Sequence, residues 1–452
     1  MQSSFLGSHV IVIGGGIAGL LSAHVLSSHF ERVSLIERDH YPEEPVFRAG
    51  TPQGRHVHIM LVRGQQILEE FFPGIKDKLV AQGAIEGDFA ADYIYHFPSG
   101  LSPRIASRLK GYACSRSLLE WQVRREVMAR ERVHFIERHE IVNLLISSDG
   151  RTVTGVQMRE RSDKTLAERE IIDLPADLVV DASGRDSQIV RWFTSLGYTP
   201  PPETVVNPFF GYSSRVYIPP ADPGRTWKGL VVLADPPKNL RGGVIWPTEE
   251  GNWIVVLGGT GKDYPPTDED GFLEFIKSIP DPLFYEALKN AQPLSPIYGY
   301  RRTENRLRHF ESLARLPERF VVLGDAVCAF NPVYGQGMTV AAMGAVALDK
   351  SLRQQGLAGL PHRFQRQLAR ITETPWQLAT ASDHKVPALE GMKPDWVTRL
   401  TYRYFDGLVV LLPTTPSISK TFSEVLHMIE PPTALFRPTI AVRVLLHGLS
   451  KH

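Results

Sequence analysis

The sequence predicts an α/β protein: a Rossmann-like dinucleotide-binding domain, an inserted β-sheet domain and a helical C-terminal region. Three observations carry this expectation. Residues 9–37 read as strand, glycine turn, helix and second strand. Residues 205–300 change to β-branched and aromatic runs broken by prolines. Residues 362–450 carry helical patterning, also interrupted by prolines.

The first unit is His9-Val-Ile-Val-Ile-Gly14-Gly-Gly16-Ile17-Ala18-Gly19, followed by an apolar helix and Val33-Ser-Leu-Ile-Glu37. Gly14, Gly16 and Gly19 stand in G-x-G-x-x-G spacing. The first permits a tight turn, the second lets the backbone approach a pyrophosphate, and the third lets helix and strand pack closely. The helix amino terminus then presents free N–H groups and the positive end of its dipole to an anion. Glu37 ends the second strand, where its carboxylate can accept hydrogen bonds from ribose hydroxyls. These features together predict a dinucleotide site. They distinguish neither FAD from NAD nor one reaction from another.

A chain of 452 residues is long enough for two or three domains. Its 50 basic and 49 acidic side chains balance, so charge makes no case for nucleic acid as a partner. Two cysteines, Cys114 and Cys328, in a chain of this length fit a reducing, cytoplasmic compartment and small-residue packing. The amino terminus lacks the basic region of a signal peptide and runs directly into the nucleotide strand. No apolar run reaches the length of a membrane span. Gly407 to Leu412 and Ile440 to Leu446 read as buried helix faces.

Further along, residues 43–58 read as a loop with a short strand, and Ser117 to Arg130 as a helix capped by Ser115 or Ser117. Val133 to Glu137, Ile141 to Ile146, Val153 to Met158 and Leu178 to Asp181 read as strands. A hairpin is expected from Val244 to Leu257, turning at Glu249-Glu-Gly-Asn. Residues 319–325 form a buried strand ending in Gly-Asp, and Val340 to Gln354 a helix. This divides the chain into a discontinuous nucleotide domain over 1–75, 105–200 and 315–360, a sheet domain over 76–104 and 201–314, and a helical region over 361–452. Such discontinuity points away from a simple nicotinamide dehydrogenase.

A second motif is Gly324-Asp325-Ala-Val-Cys-Ala-Phe-Asn331-Pro332-Val-Tyr-Gly335-Gln-Gly337-Met338. A strand ending in Gly-Asp puts a carboxylate at the carboxyl edge of the sheet, where doubly wound folds bind ligands. Asp325 can there hold a ribityl hydroxyl. The glycines that follow permit close backbone approach to a flat ring, and the helix start offers N–H groups to negative charge.

The early glycine motif, the Asp181-Ala-Ser-Gly184-Arg block and the Gly-Asp…Asn-Pro…Gly-Gln-Gly block occur in that order. They resemble the single-component FAD monooxygenases of the para-hydroxybenzoate hydroxylase fold over residues 9 to about 385. The finer pattern is Arg48-Ala-Gly-Thr-Pro52-Gln53-Gly-Arg-His56-Val-His58, with Ala113-Cys-Ser-Arg116-Ser-Leu-Leu-Glu-Trp and Trp376-Gln-Leu-Ala-Thr. It is similar to the polyene epoxidases of polyether antibiotic pathways, the lasalocid and monensin epoxidase group, and more distantly to squalene epoxidase.

The resemblance implies roles at matching positions. Gly14, Gly16, Ile17, Ala18, Gly19, Glu37 and Arg38 would hold the ADP half of FAD. Arg116 would contact the polar linker, Ile141 would meet the adenine through its backbone, and Gly184 would border the cofactor. Asp325 would bind the ribityl chain, and Pro332, Gly335, Gly337 and Met338 would border the isoalloxazine. Arg48, Gln53, His56 and His58 would lie near the flavin. The implied reaction is oxygen insertion from O2 through a flavin C4a-hydroperoxide, as epoxidation of an alkene in a polyketide or isoprenoid chain of secondary metabolism. No protein side chain is assigned a direct catalytic role. The electron donor would be NADPH or NADH. Ser183 stands where many hydroxylases of this fold carry the Asp of an Asp-Gly pair tied to nicotinamide binding. Reduction is therefore expected either directly and slowly, or through a separate flavin reductase or carrier protein.

Other readings are narrower. An aromatic hydroxylase is the first alternative, and it would need a base to ionise a phenol. A flavin halogenase would carry Trp-x-Trp-x-Ile-Pro, which is absent from the chain. A prenyl-chain reductase and a non-enzymatic flavoprotein are further alternatives. Tyr212, Tyr217 and Trp246 are expected to line a pocket for a large apolar substrate. His56-Val-His58 lacks a Cys or acid cluster to complete a metal site. Gly258-Gly-Thr-Gly-Lys262 fails as a phosphate loop, with Val256 at the first glycine position and Asp263 in place of Ser or Thr. The basic run Arg301 to Arg308 is diluted by Glu304 and reads as internally paired.

Overall fold

The computed structural model describes residues 5–162 and 170–449. A five-stranded parallel sheet runs in the order Phe320–Val322, Leu178–Asp181, Gly7–Ile13, Phe30–Ile36, Val133–Ile136. Its central strands are continuous apolar runs because both faces are covered: Val10, Ile11, Val12 and Leu178, Val179, Val180 are wholly buried. The Ile17–Leu26 helix packs on the Arg116–Met128 and Gly337–Gln355 helices. At Gly19 the helix lies tight against the turn that follows the first strand: a Cβ there would stand 1.8 Å from the carbonyl oxygen of Gly14. Gly14 itself has φ +94°, a conformation that side chains resist.

The helix expected from Ser117 begins at Arg116, and Ser115 caps it by accepting the N–H of Leu118 at 3.1 Å. The helix expected from Val340 starts earlier, at Gly337. Glycine reads as a breaker in sequence, but the first helical turn needs no intrahelical N–H partner and tolerates it.

An eight-stranded sheet forms the second layer system. Strands Arg241–Pro247 and Trp253–Gly259 make its hairpin, turning through Glu249–Gly251. Strand Tyr93–Phe97 joins it in parallel with Gly229–Val232. Residues alternate between its faces with the strand period of two. Tyr217, Ile245, Trp253, Val255 and Leu257 pack against Phe272, Phe275 and Phe284 of two covering helices. Trp246, Ile254 and Val231 pack on the other face with Phe89 and Tyr93.

In the C-terminal region Leu408 and Leu412 are buried, as expected. The Ile440 to Leu446 run is only half buried. Ile440 and Val444 face the core, whereas Val442, Leu445 and Leu446 are 54%, 63% and 61% exposed. The helical period puts the two sets on opposite sides, which hydrophobicity alone conceals. No helix among the described residues is long and apolar enough to cross a membrane.

The close packing at Gly19 makes a direct prediction. Gly19→Ala should destabilise the protein by about 2–3 kcal/mol, since the obstacle is backbone. Gly224→Ala, whose Cβ would meet nothing nearer than 3.5 Å, should stay within about 0.5 kcal/mol. Denaturant unfolding of the two variants measures the contrast.

Candidate cofactor and active site

A cavity of about 780 Å³ opens where the parallel strands end. Separate stretches of chain meet there. Gly14, Gly16, Ile17 and Ala18 come from the first turn, and Glu37 and Arg38 from the end of the second strand. Arg48, Gln53 and His58 come from the following loop, Arg116 from the start of its helix, and Ile141 and Gly184 from the middle of the chain. Asp325, Pro332, Gly335, Gly337 and Met338 close the far end. Gly19 does not line the cavity; it permits the packing that forms it.

The first helix presents its amino terminus to this space. Gly16 occupies the N-cap, and no side chain caps it. A Cβ there would approach only the Arg116 guanidinium, at 4.0 Å. The first-turn N–H groups therefore remain available to an anion. Beside them, Glu37 accepts the N–H of Gly15 at 2.7 Å and that of Asp39 at 3.0 Å, which holds its carboxylate against the glycine turn.

Beneath this end lies a buried ionic cluster. Glu120 accepts from Arg48 Nε at 2.7 Å and from Arg116 Nη2 at 2.6 Å. Arg48 also reaches Asp39 at 3.2 Å and Glu37 at 3.6 Å. Burial alone would push the Glu120 carboxyl up, but Arg116 and Arg48 outweigh it and hold the group below its ordinary range. Arg48 thus ties the 43–58 loop to the first βαβ unit.

The opposite end is built differently. Asp325 is pushed up by burial and opposed by the charges of Arg185 and Arg116. Gly335 has φ +62°. Gln336 is 1% exposed, lines the cavity, and has neither amide atom hydrogen-bonded. A buried orphan amide of this kind fits a ligand with hydrogen-bonding edges. The uncapped helix end, the Glu37 carboxylate, the buried Asp325 and the glycine-flanked Gln336 together fit an extended dinucleotide ending in a polar-edged flat ring.

Tyr212 lines the cavity as expected, and its cross-strand partner Tyr300 joins it. His56 meets Tyr212 edge-on, with ring centroids 4.5 Å apart, and its Nδ1 lies 2.7 Å from the Ser214 hydroxyl. Burial, with His58 and Arg55 nearby, lowers His56 to about 3. Burial and Arg116 lower His58 to about 4. Both imidazoles are therefore neutral near pH 7.

Two expected pocket residues lie elsewhere. Tyr217 is an odd number of residues from Tyr212 on one strand, so it points to the opposite face, into the helix-covered core. Trp246 shares the Tyr212 face, but it is stacked on Tyr93 at 4.7 Å and Phe89 at 5.9 Å. Neither lines the cavity.

Several lining residues were not singled out from sequence. Arg185 donates to the carbonyls of Glu304 at 2.8 Å and Phe330 at 3.3 Å, spanning from the Asp181 block to the loop before Pro332. Its place beside Gly184 was the available signal. Tyr300 has no local signal, since strand pairing alone brings it to Tyr212. Ser183 donates its hydroxyl to the buried Asp181 at 2.5 Å. An Asp at 183 would set a second carboxylate against Asp181, so the serine matches its surroundings. Of the basic run, Arg302 pairs with Asp186 at 2.5 Å and Arg308 with Glu203 at 2.7 Å.

Glu120→Gln would leave the buried Arg116 guanidinium without its anion and Arg48 with only Asp39 and Glu37, at a cost of about 3–5 kcal/mol at neutral pH. Because its folded-state pKa is depressed, Glu120 stabilises the fold above the ordinary carboxyl pKa. That contribution is lost as pH falls through the depressed value. Melting curves from neutral to acid pH should show a lower but flatter profile for the variant.

The model for FAD-binding domains matches residues 8–355. Protein Rv3254 of Mycobacterium tuberculosis is 32% identical over 382 residues, 83% of this chain and 80% of its own length. Kynurenine 3-monooxygenase of Salinispora arenicola is 27% identical over 368 residues, 76% of this chain and 72% of its own. Among solved structures, the flavin-dependent brominase Bmp2 aligns with a TM-score of 0.68 at 14% identity, covering 99% of this chain and 100% of that one. A flavoprotein/dehydrogenase from Cytophaga hutchinsonii aligns with a TM-score of 0.69 at 17% identity, covering 98% and 100%. These two likenesses show the shared fold. With its motifs gathered around one cavity and the family model spanning most of its length, the chain belongs to the family of FAD-binding domains.

Proposed function

We propose that this protein is an FAD-dependent monooxygenase that inserts one oxygen atom from O2 into a large apolar substrate, by epoxidising an alkene of a polyketide or isoprenoid chain. The observation that carries the choice of reaction is that the histidines and phenols at the ring end are neutral, although Arg185, Asp186, Arg302 and Asp325 also line the cavity. Tyr212, Tyr300, Val57, Ile59 and Phe330 supply much of the wall there. His56 and His58 are neutral there, and burial raises the Tyr212 and Tyr300 phenols. An electron-rich alkene needs no base to react with an electrophilic oxygen, whereas a phenol is activated by losing its proton.

Bound in its reduced form, FAD would supply two electrons and an electrophilic oxygen drawn from O2, the second oxygen atom leaving as water. The chain's own groups bind, orient and exclude water. In this reading the turn at Gly14 to Ala18 and Glu37 hold the ADP half, with Arg116 and Ile141 along its path. Asp325 takes the ribityl hydroxyls, and Pro332 to Met338 border the ring. Electrons come from NADPH or NADH, directly or through a reductase; Ser183, which bonds Asp181, stands where the resembling hydroxylases carry an Asp tied to nicotinamide binding.

Aromatic hydroxylation is a second reading, favoured by the matches to kynurenine 3-monooxygenases. Incubation of the reduced holoprotein with 18O2 and parallel panels of polyenes and phenols separates the two. A singly labelled epoxide, or its diol, is the expected product. A labelled phenolic product without any epoxide would overturn epoxidation, and alkene reduction without O2 consumption would overturn both. Asp325→Ala should weaken FAD retention about 30-fold, through loss of a charge-assisted hydrogen bond. Fluorescence titration with FAD measures it.

A further inference from the structure

Asp383 lies outside every motif considered so far. It ends the Leu360–Asp383 helix of the C-terminal region, yet its carboxylate is buried against the loop at the ring end of the cavity. Asn305, wholly buried, donates Nδ2 to its Oδ2 at 2.5 Å. Asn331 donates Nδ2 to Oδ1 at 3.1 Å and to Oδ2 at 3.3 Å. The two asparagines also meet each other, the Asn331 backbone N–H donating to Asn305 Oδ1 at 2.7 Å. Asn331 in turn caps the turn Pro332–Tyr334 that leads into Gly335 and Gly337. One carboxylate thus clamps the strand Asn305–Arg308 to the residue that opens the ring-bordering loop.

The chemistry of the position calls for an acid. The side-chain groups facing it are amide donors, and no Lys or Arg forms an ion pair with Asp383 among the described residues. An asparagine at 383 would turn an NH2 toward donors, whereas a carboxylate offers acceptors only. We propose that Asp383 is a positioning residue for the flavin ring: through Asn305 and Asn331 it fixes the 331–337 loop and places a charge that the bound ring senses. This rests on the ring lying beside Pro332 to Met338, as proposed above.

The group also exchanges its proton in an accessible range. Burial pushes Asp383 up to about 7, against the opposing bonds from Asn305 and Asn331. Its titratable neighbours are otherwise engaged. The Tyr402 hydroxyl lies 3.1 Å from Thr380 Oγ1, His384 bonds the carbonyls of Thr380 and Met392, and Lys385 pairs with Asp406. Above neutrality the carboxylate accepts all its donors. Below it, the protonated acid turns an O–H toward an NH2 group, and the clamp weakens.

The test uses the full-length FAD-bound protein. The visible spectrum of the flavin is followed from about pH 5 to about pH 9, with FAD affinity and melting temperature measured in parallel. The wild type should show a spectral transition centred near pH 7. Asp383→Asn should abolish it and weaken FAD binding about tenfold. The exchange Asn331→Asp with Asp383→Asn reverses the donor–acceptor pair and retains the charge. It should restore affinity to within about threefold and bring the transition back. The proposal is overturned if Asp383→Asn keeps wild-type affinity and pH response, if it lowers only the melting temperature, or if the exchange restores neither folding nor affinity. Gly335→Ala serves as the positional control. A silent spectrum in that variant would overturn the placement of the ring instead.

Discussion

The approach of Gly19 to the Gly14 carbonyl is the contact on which the rest of the site depends. A strand and helix that touch backbone to backbone leave no room for a side chain between them. The helix is thereby drawn back until its uncapped amino terminus stands at the end of the sheet. The cavity opens beside that terminus, with the Glu37 carboxylate held against the turn and Asp325 of the distant Gly324-Asp325 strand end also lining it.

Charge is distributed unevenly around the cavity, and this separates its two tasks. At the nucleotide end Arg48, Glu120, Arg116 and Asp39 form a buried network whose members neutralise one another, while the helix terminus stays open. At the opposite end, where the flavin ring is proposed to lie, the histidines are neutral and much of the wall is aromatic or aliphatic, although Arg185, Asp186, Arg302 and Asp325 also line the cavity. The open helix terminus suits an anionic dinucleotide, and an aromatic or aliphatic wall suits a substrate kept from water.

Between these ends the structure uses clamps that tie distant parts of the chain together. Arg185 links the Asp181 block to Glu304 and Phe330, His56 links the 43–58 loop to Ser214, and Asp383 links the C-terminal helix to Asn305 and Asn331. Each fixes a loop that carries no regular hydrogen-bond ladder of its own. The inserted sheet and the C-terminal region are thus joined to the site by single polar side chains as well as by packing.

The amino-acid sequence by itself determined the α/β class, the glycine turn with its acid, the capped helix after Ser115 and the 324–338 block. These depend on local period, spacing and backbone freedom, all of which act over a few residues. Tertiary structure alone decided which face of the sheet a tyrosine occupies. Tyr212 and Tyr217 are alike in sequence and opposite in place, because a strand alternates and only register says which side is the core. It also decided that Tyr300 joins Tyr212, that Trp246 is spent in an aromatic stack, and that half of the Ile440 to Leu446 run faces outward. Asp383 belongs with these. Its burial against two asparagines far apart in the chain is a long-range contact, and no local pattern records a long-range contact.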